Sequence, residues 1–231
     1  MHSSISTDGR SFDVVVVGGG HAGCEAALAA ARMGCRTLLV TLSLEKIALM
    51  PCNPAVGGVG KGQLTREIDA LGGQQGRNTD ISFVQMKMLN TGKGPAVRAL
   101  RAQTDKQLYE DNMKRALAVQ AGLWVLEGAV TGIDVSRETI AAVRLSDGSR
   151  AGAAAVVVAC GTFLNGRVVV GQQRFPAGRM GEPPAVSLSG ALRQLGVELK
   201  RFQSATPPRI DGRTIDPDRM TAAPGRRPCR K

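Results

Sequence analysis

The chain has 231 residues, 43% of them hydrophobic, which is enough for one large domain or two small ones. Aromatic residues make up only 3%, too few for a base-stacking platform of the single-strand-binding kind. The formal charge of +11 points to an anionic partner, but the last thirteen residues hold five basic side chains and no acid, and the remainder, with 25 basic against 19 acidic residues, carries +6. Five scattered cysteines (Cys24, Cys35, Cys52, Cys160, Cys229) form no CxxC pair, and there are two histidines, so neither a disulfide framework nor a metal site is expected. The N-terminus has no apolar core of a signal peptide, and no run reaches the roughly eighteen apolar residues of a membrane helix. The expected setting is reducing and cytoplasmic.

Residues 13–17 read as a strand and residues 21–33 as a helix. Between them lies Gly18-Gly19-Gly20-His21-Ala22-Gly23. Strand, GxGxxG turn and helix stand in the order a dinucleotide site needs. Gly18 permits the tight turn, Gly20 admits a pyrophosphate close to the backbone, and Gly23 lets the helix pack on the strand. The pyrophosphate would sit at the positive end of that helix. A second strand covers 36–41. No acid follows it to hold ribose hydroxyls; Glu45 is the nearest, and Thr41 or Ser43 stand in its place.

Residues 44–62 form a long irregular stretch with two prolines and four glycines. Loops of that length inside a domain are usually functional. A Walker A reading fails, because Lys61 is followed by Gly62 and Ala55 occupies the place of the first glycine. Leu64, Ile68 and Leu71 then predict a helix over 63–71. Pro95 is a good first helical residue, and a helix is expected from 96 to about 121, with Val97, Leu100, Leu108, Met113 and Leu117 on its apolar face. Lys93, Arg98, Arg101 and Lys106 gather at its start, where cations oppose the helix dipole. Either a nearby anion or a solvated basic face accounts for them. Strands are expected at 123–126, 130–135 and 139–145. The continuous apolar run 153–159 reads as a fully buried parallel strand. It ends in Cys160-Gly161-Thr162, where two-dinucleotide-fold flavoproteins return to the flavin. Loop residues follow Gly166, then a helix over 189–196.

The strings GGGHAG, CNPAVGGVGKGQL, REIDALGG, MLNTGKGPAVRALRAQTDK, GTFLNG and TPPRIDGRTID resemble the glucose-inhibited division protein A (GidA, MnmG) family, continuously from Phe12 to about Asp216. The resemblance implies an α/β, Rossmann-like FAD-binding domain of the glutathione-reductase, two-dinucleotide type, incomplete, with inserted β-strands and a long loop. It implies a cytoplasmic, homodimeric flavoprotein with no membrane attachment. With the GTPase MnmE, such a protein adds a carboxymethylaminomethyl group to carbon 5 of the wobble uridine (U34) of certain tRNAs. FAD, NADH and a folate one-carbon donor take part. On the matched positions, Gly18, Gly19, Gly20, His21, Ala22 and Gly23 would cradle the FAD pyrophosphate, and the Val130 backbone would contact the adenine end. Ala185, after Pro183-Pro184, stands where the family often has a serine near the flavin and would contact it through its backbone. The hydroxyl residue after the second strand matches the family. Cys52 matches a family cysteine implicated in catalysis, with Lys61 and the helix from Gln63 as sources of thiolate character. Lys93, Arg98 and Arg101 would contact RNA or flavin phosphates. Cys24, Cys35 and Cys160 read as small apolar core residues, and His21 as a packing or cofactor-edge residue rather than a base.

Three segments are expected: a flexible N-terminus (1–11), a partial FAD-binding domain (12–216) and a disordered basic tail (217–231) outside the resemblance. The tail's Arg/Pro/Ala/Gly composition is that of GC-rich DNA read out of frame. The chain therefore reads as an N-terminal fragment without the family's NAD-binding part, second catalytic cysteine and C-terminal partner-binding region. Two other readings stay open: a catalytically inactive FAD- or RNA-binding fragment, and a generic FAD- or NAD-dependent oxidoreductase. The CNPAVGG and KGPAVRALRAQ strings argue against the second of these.

Overall fold

The run SFDVVVV forms β1 (Ser11–Val17), α1 (His21–Arg32) follows, and β2 (Thr37–Thr41) returns parallel to β1. This is the βαβ unit the glycine motif requires. The computed structural model describes residues 9–179, 181–208 and 210–225. Its contacts divide the chain into two units, Met1–Leu49 with Asn112–Lys200, and Met50–Asp111 with Arg201–Lys231.

After β2 come β3 (Ala55–Gly57), α2 (Gly62–Ala70), α3 (Gln74–Ser82), β4 (Phe83–Leu89) and β5 (Ala99–Thr104). Then follow α4 (Lys106–Val119), β6 (Leu123–Glu127), β7 (Val130–Ser136), β8 (Thr139–Leu145) and β9 (Arg150–Val158). A ribbon of β10 (Arg167–Val170) and β11 (Gln173–Pro176) precedes α5 (Val186–Gln194).

In the first unit a six-stranded sheet runs β6-β2-β1-β9-β8-β7. Four strands are mutually parallel, while β8 and β7 add as an antiparallel meander. The chain leaves β1 toward β2 and comes back on the other side as β9. The order therefore reverses between β1 and β9, the switch point at which open α/β sheets bind ligands beyond the strands' C-terminal ends. Val15, Leu38, Val40, Val143, Leu188 and their neighbours fill the core, and Phe12 meets Trp124 edge-to-face at 5.7 Å. Small residues (Gly23, Cys24, Ala27, Ala30, Ala31) make up most of the buried face of α1.

The second unit holds an antiparallel sheet, β3-β5-β4, with α2 and α3 against it. Here the expected long helix from 96 to 121 is corrected. Only Pro95–Val97 makes a 3-10 turn; residues 99–104 pair with β3 on one side and β4 on the other, and the helix begins at Lys106. Pairing on both edges overrides the helical propensity of Ala-Leu-Arg-Ala-Gln.

The strand over 153–159 is also corrected. It begins at Arg150 and is not fully buried, with Val157 and Val158 exposed by 39% and 38%. The helix expected at 189–196 runs from Val186 to Gln194. At the N-terminus, the Arg10 carbonyl accepts from Gly152 N–H at 2.9 Å and Ser11 is already in β1, so the sheet takes hold earlier than expected. Residues 217–219 form a 3-10 turn, with the Asp216 side chain accepting from Asp218 N–H. Residues 1–8 and 226–231, Cys229 among them, lie outside the described residues.

Candidate functional site

The turn after β1 is fixed by close backbone approaches. Gly18 has φ +114°, a conformation that costs any residue with a Cβ, and a Cβ there would also meet the Ala159 carbonyl at the end of β9. A Cβ on Gly23 would collide with the Gly18 carbonyl oxygen. On Gly19 it would come within 2.6 Å of the Thr41 hydroxyl at the end of β2. Gly20 is different: it caps α1 in extended backbone, and a Cβ there would meet nothing within 4 Å. Three glycines are thus required by the protein itself, while the fourth faces open space.

The start of α1 fits a diphosphate. The helix has no side-chain cap and no acid in its first turn. Its initial N–H groups lie beyond the reach of intrahelical carbonyls and carry the positive end of the dipole. Thr41, which occupies the usual place of the ribose-binding acid, is buried and directs its hydroxyl to the Ser43 carbonyl at 3.4 Å. At the end of β6, the Glu127 carboxylate accepts from Leu44 N–H at 2.7 Å and so holds the segment after β2.

A cluster that sequence reasoning missed belongs to the same unit. Arg179 donates to both carboxylate oxygens of Glu182, at 2.7 and 3.0 Å, and Lys46 approaches the same carboxylate at 3.6 Å. The Arg179 guanidinium also lies over the Phe163 ring at 5.2 Å. Glu182 is 8% exposed, so one buried carboxylate answers two cations. Lys46 is remote in sequence from the other two, and the only local signal was the Arg179/Glu182 charged pair inside a Gly/Pro-rich stretch.

The His21 imidazole is held below its ordinary value of 6.5, first by burial and then by the Arg179 charge. The folded chain therefore takes up this proton at lower pH than the unfolded chain does. The stability linked to His21 is fully present above pH 6.5 and is lost as pH falls through the depressed folded value. Urea melts from about pH 8 down to about pH 5 are expected to show wild type losing stability relative to His21→Asn as pH drops. Parallel curves for the two chains would refute this.

Burial raises the Cys24 thiol to about 12, with Glu25 adding to it, and raises Cys160 to about 11. Both stay protonated, as small packing residues do. Cys35 is only partly buried.

Val130 lies at the start of β7, 6% exposed, opposite Leu145. Ala185 caps α5, and its backbone is occupied. Its N–H donates to the Phe163 carbonyl at 2.8 Å, and its own carbonyl accepts from Asn165 N–H and the Ser189 hydroxyl, both at 3.1 Å. That leaves van der Waals contact as the way Ala185 would touch a cofactor.

In the second unit, Cys52 is half-buried in the segment before β3. That segment is tied on both sides: the Thr104 hydroxyl reaches Met50 Sδ at 3.4 Å and the Pro54 carbonyl at 3.1 Å, and Thr104 N–H donates to the Pro54 carbonyl at 2.7 Å. Lys61 precedes α2 as its exposed N-cap residue. Lys93 lies in the exposed loop between β4 and β5. Arg98 closes that loop by donating its Nε–H to the Lys93 carbonyl at 3.2 Å, and Arg101 is in β5. Sequence reasoning placed these cations at a helix start; the structure puts them on a hairpin. Among the described residues no cluster of three His, Cys, Asp or Glu side chains stands ready for a metal ion, and no helix is long and apolar enough to cross a membrane.

A strand, a glycine turn and an uncapped helix at the point of sheet reversal define a Rossmann-type dinucleotide-binding domain. The family model described as "Glucose inhibited division protein A" matches residues 13–231, and the chain belongs to that family. The match includes 217–231, which the sequence reading had set outside the resemblance. The solved structure of GidA from Aquifex aeolicus, in its form II crystal, superposes with a TM-score of 0.88 at 46% identity, over 98% of this chain and 37% of that one. The tRNA uridine 5-carboxymethylaminomethyl modification enzyme MnmG of Geobacillus thermodenitrificans is 50% identical over 217 residues, 94% of this chain and 34% of its own length. The enzyme of the same name from Geobacter metallireducens is 53% identical over 211 residues, 91% of this chain and 34% of its own. The chain spans about a third of the length of these curated relatives.

Proposed function

We propose that the chain binds FAD at the start of α1 and contributes this site to the modification of tRNA wobble uridine at carbon 5, in the cytoplasm and with the GTPase MnmE as partner. The observation that carries the reading is the geometry of the glycine turn. Gly18, Gly19 and Gly23 are demanded by packing, and Gly20 leaves open space at the start of α1, a helix with no side-chain cap. Curated relatives at 50% identity named as tRNA uridine modification enzymes support the substrate.

Bound FAD would supply the redox chemistry. The residues of this chain bind and orient. The first turn of α1 would hold the diphosphate, and the backbone at Val130 would contact the adenine end. His21, whose imidazole is held below its ordinary value by burial and the Arg179 charge, would pack at the cofactor edge. Cys52 would serve as the nucleophile: as its S–H proton passes to solvent, the sulfur would form a bond to carbon 6 of the uracil ring, and the carbon 5–carbon 6 π electrons would move toward carbon 5, which becomes nucleophilic.

The test is an absorbance spectrum of the purified chain, followed by NADH under anaerobic conditions. A flavin band is the expected result, and its bleaching by NADH would add a working redox site. A band that persists would replace the active enzyme by a binding-only domain, and no band at all would overturn FAD binding.

A further inference from the structure

β4 and β5 run antiparallel in a register that sets Lys87 directly opposite Arg101. Residues so opposed project from the same face, and like charges in that position destabilise the pair. Two residues along the same face the opposed pair is Gln85 and Gln103, which carries no such cost. On its other edge Arg101 faces Gly57 of β3, which has no side chain to answer it. The next residue, Gly58, is also a glycine, and a Cβ there would lie 3.8 Å from Arg101 Cδ. Among the described residues Lys87, Lys93, Arg98 and Arg101 take part in no ion pair. Arg98 is spent on closing the loop, but Lys87 and Arg101 are held side by side with nothing between them to offset the repulsion.

The geometry points to Lys87 and Arg101 as a contact for the phosphate backbone of the RNA substrate, an inference that rests on the tRNA reading above. A phosphate bridging the two cations turns the repulsion into attraction. The same face carries Gln85, whose side chain donates to the Ala223 carbonyl at 3.1 Å, with Leu89, the buried Ala99 and Gln103, and no aromatic ring, so the contact positions the RNA and reads no base.

The probes are an in vitro transcribed tRNA with U34 and the same transcript with C34, titrated against wild type, Lys87→Gln and Arg101→Gln over a range of salt. Each substitution is expected to lower the slope of log K against log salt by about 0.7–0.9 and to weaken binding about fivefold near 0.15 M salt. The effect should be equal for the two transcripts, with the melting midpoint unchanged or raised and any flavin absorbance unaltered. Lys87→Arg should keep the slope. Wild-type binding with an unchanged slope in both variants would overturn the pair and leave the tRNA reading standing. A wild-type chain with no salt-dependent RNA binding would remove the tRNA reading itself. Weaker binding with a lowered melting midpoint would assign the pair a structural role and so overturn the inference.

Discussion

Gly23→Ala is expected to destabilise the first unit by about 3 kcal/mol, the upper range for forcing a methyl group into a packed site. The reason is local: the added carbon would collide with the Gly18 carbonyl, and α1 cannot retreat without uncovering the small buried face it lays on the sheet. Gly20→Ala should behave oppositely. Its φ of −75° suits alanine and the added methyl group touches nothing, so stability should hold or rise by about 0.5 kcal/mol through the unfolded state. FAD affinity should nonetheless fall by about tenfold or more, equivalent to about 1.4 kcal/mol, because that open space is where a pyrophosphate would approach. Urea melts without cofactor and fluorescence titrations with FAD separate the two. Equal losses of stability in both variants would show that the turn serves packing alone.

Glu182→Ala is expected to cost about 2–3 kcal/mol, below the 3–5 typical of a fully buried broken pair because Lys46 is partly solvated. The Lys46 side chain is 42% exposed and that of Arg179 22%. Removing the carboxylate leaves Arg179 on the Phe163 ring with its two strong hydrogen bonds gone. Glu182→Gln should recover part of the loss, since an amide oxygen still accepts one hydrogen bond. Denaturant midpoints of the three chains decide the matter, and an alanine variant within about 0.5 kcal/mol of wild type would show that the cluster adds little to stability.

The βαβ unit was legible because its signals are short-range: a valine run, glycines at fixed spacing and an alanine-rich helix all lie within about thirty residues. α3 was invisible for a physical reason. Its buried residues are polar, Asn78, Thr79 and Ser82, so no apolar period exists to find. The Thr79 and Ser82 hydroxyls are satisfied within the helix, donating to the Gln75 and Asn78 carbonyls at 2.7 Å each, and Asn78 Oδ1 accepts from Gln74 at 2.9 Å, while Asn78 Nδ2 is left without a partner. β5 was misread because Pro95 and the residues after it favour a helix locally, and its two partner strands come from the distant residues 55–57 and 83–89. The same limit hid the Lys46–Glu182–Arg179 cluster, whose members meet only once β2 and the segment after β11 are in place. In β9 an apolar run fixed the pairing but not the cover.

The double allegiance of β9 sets an order for folding. Its antiparallel edge joins β8 and β7, all within residues 130–158, through short turns that cost little entropy to close. Its parallel edge joins β1, where Val14 meets Ala155 across most of the chain. During synthesis β1 emerges long before that partner, and the β7–β8–β9 meander can form as soon as its own residues are free, offering a ready template for the oldest strand. The Gly18 turn, which leans on Ala159 just beyond β9, is complete only after this slowest closure. Closure of the Gly18 turn is therefore expected to follow formation of the β7–β8–β9 meander.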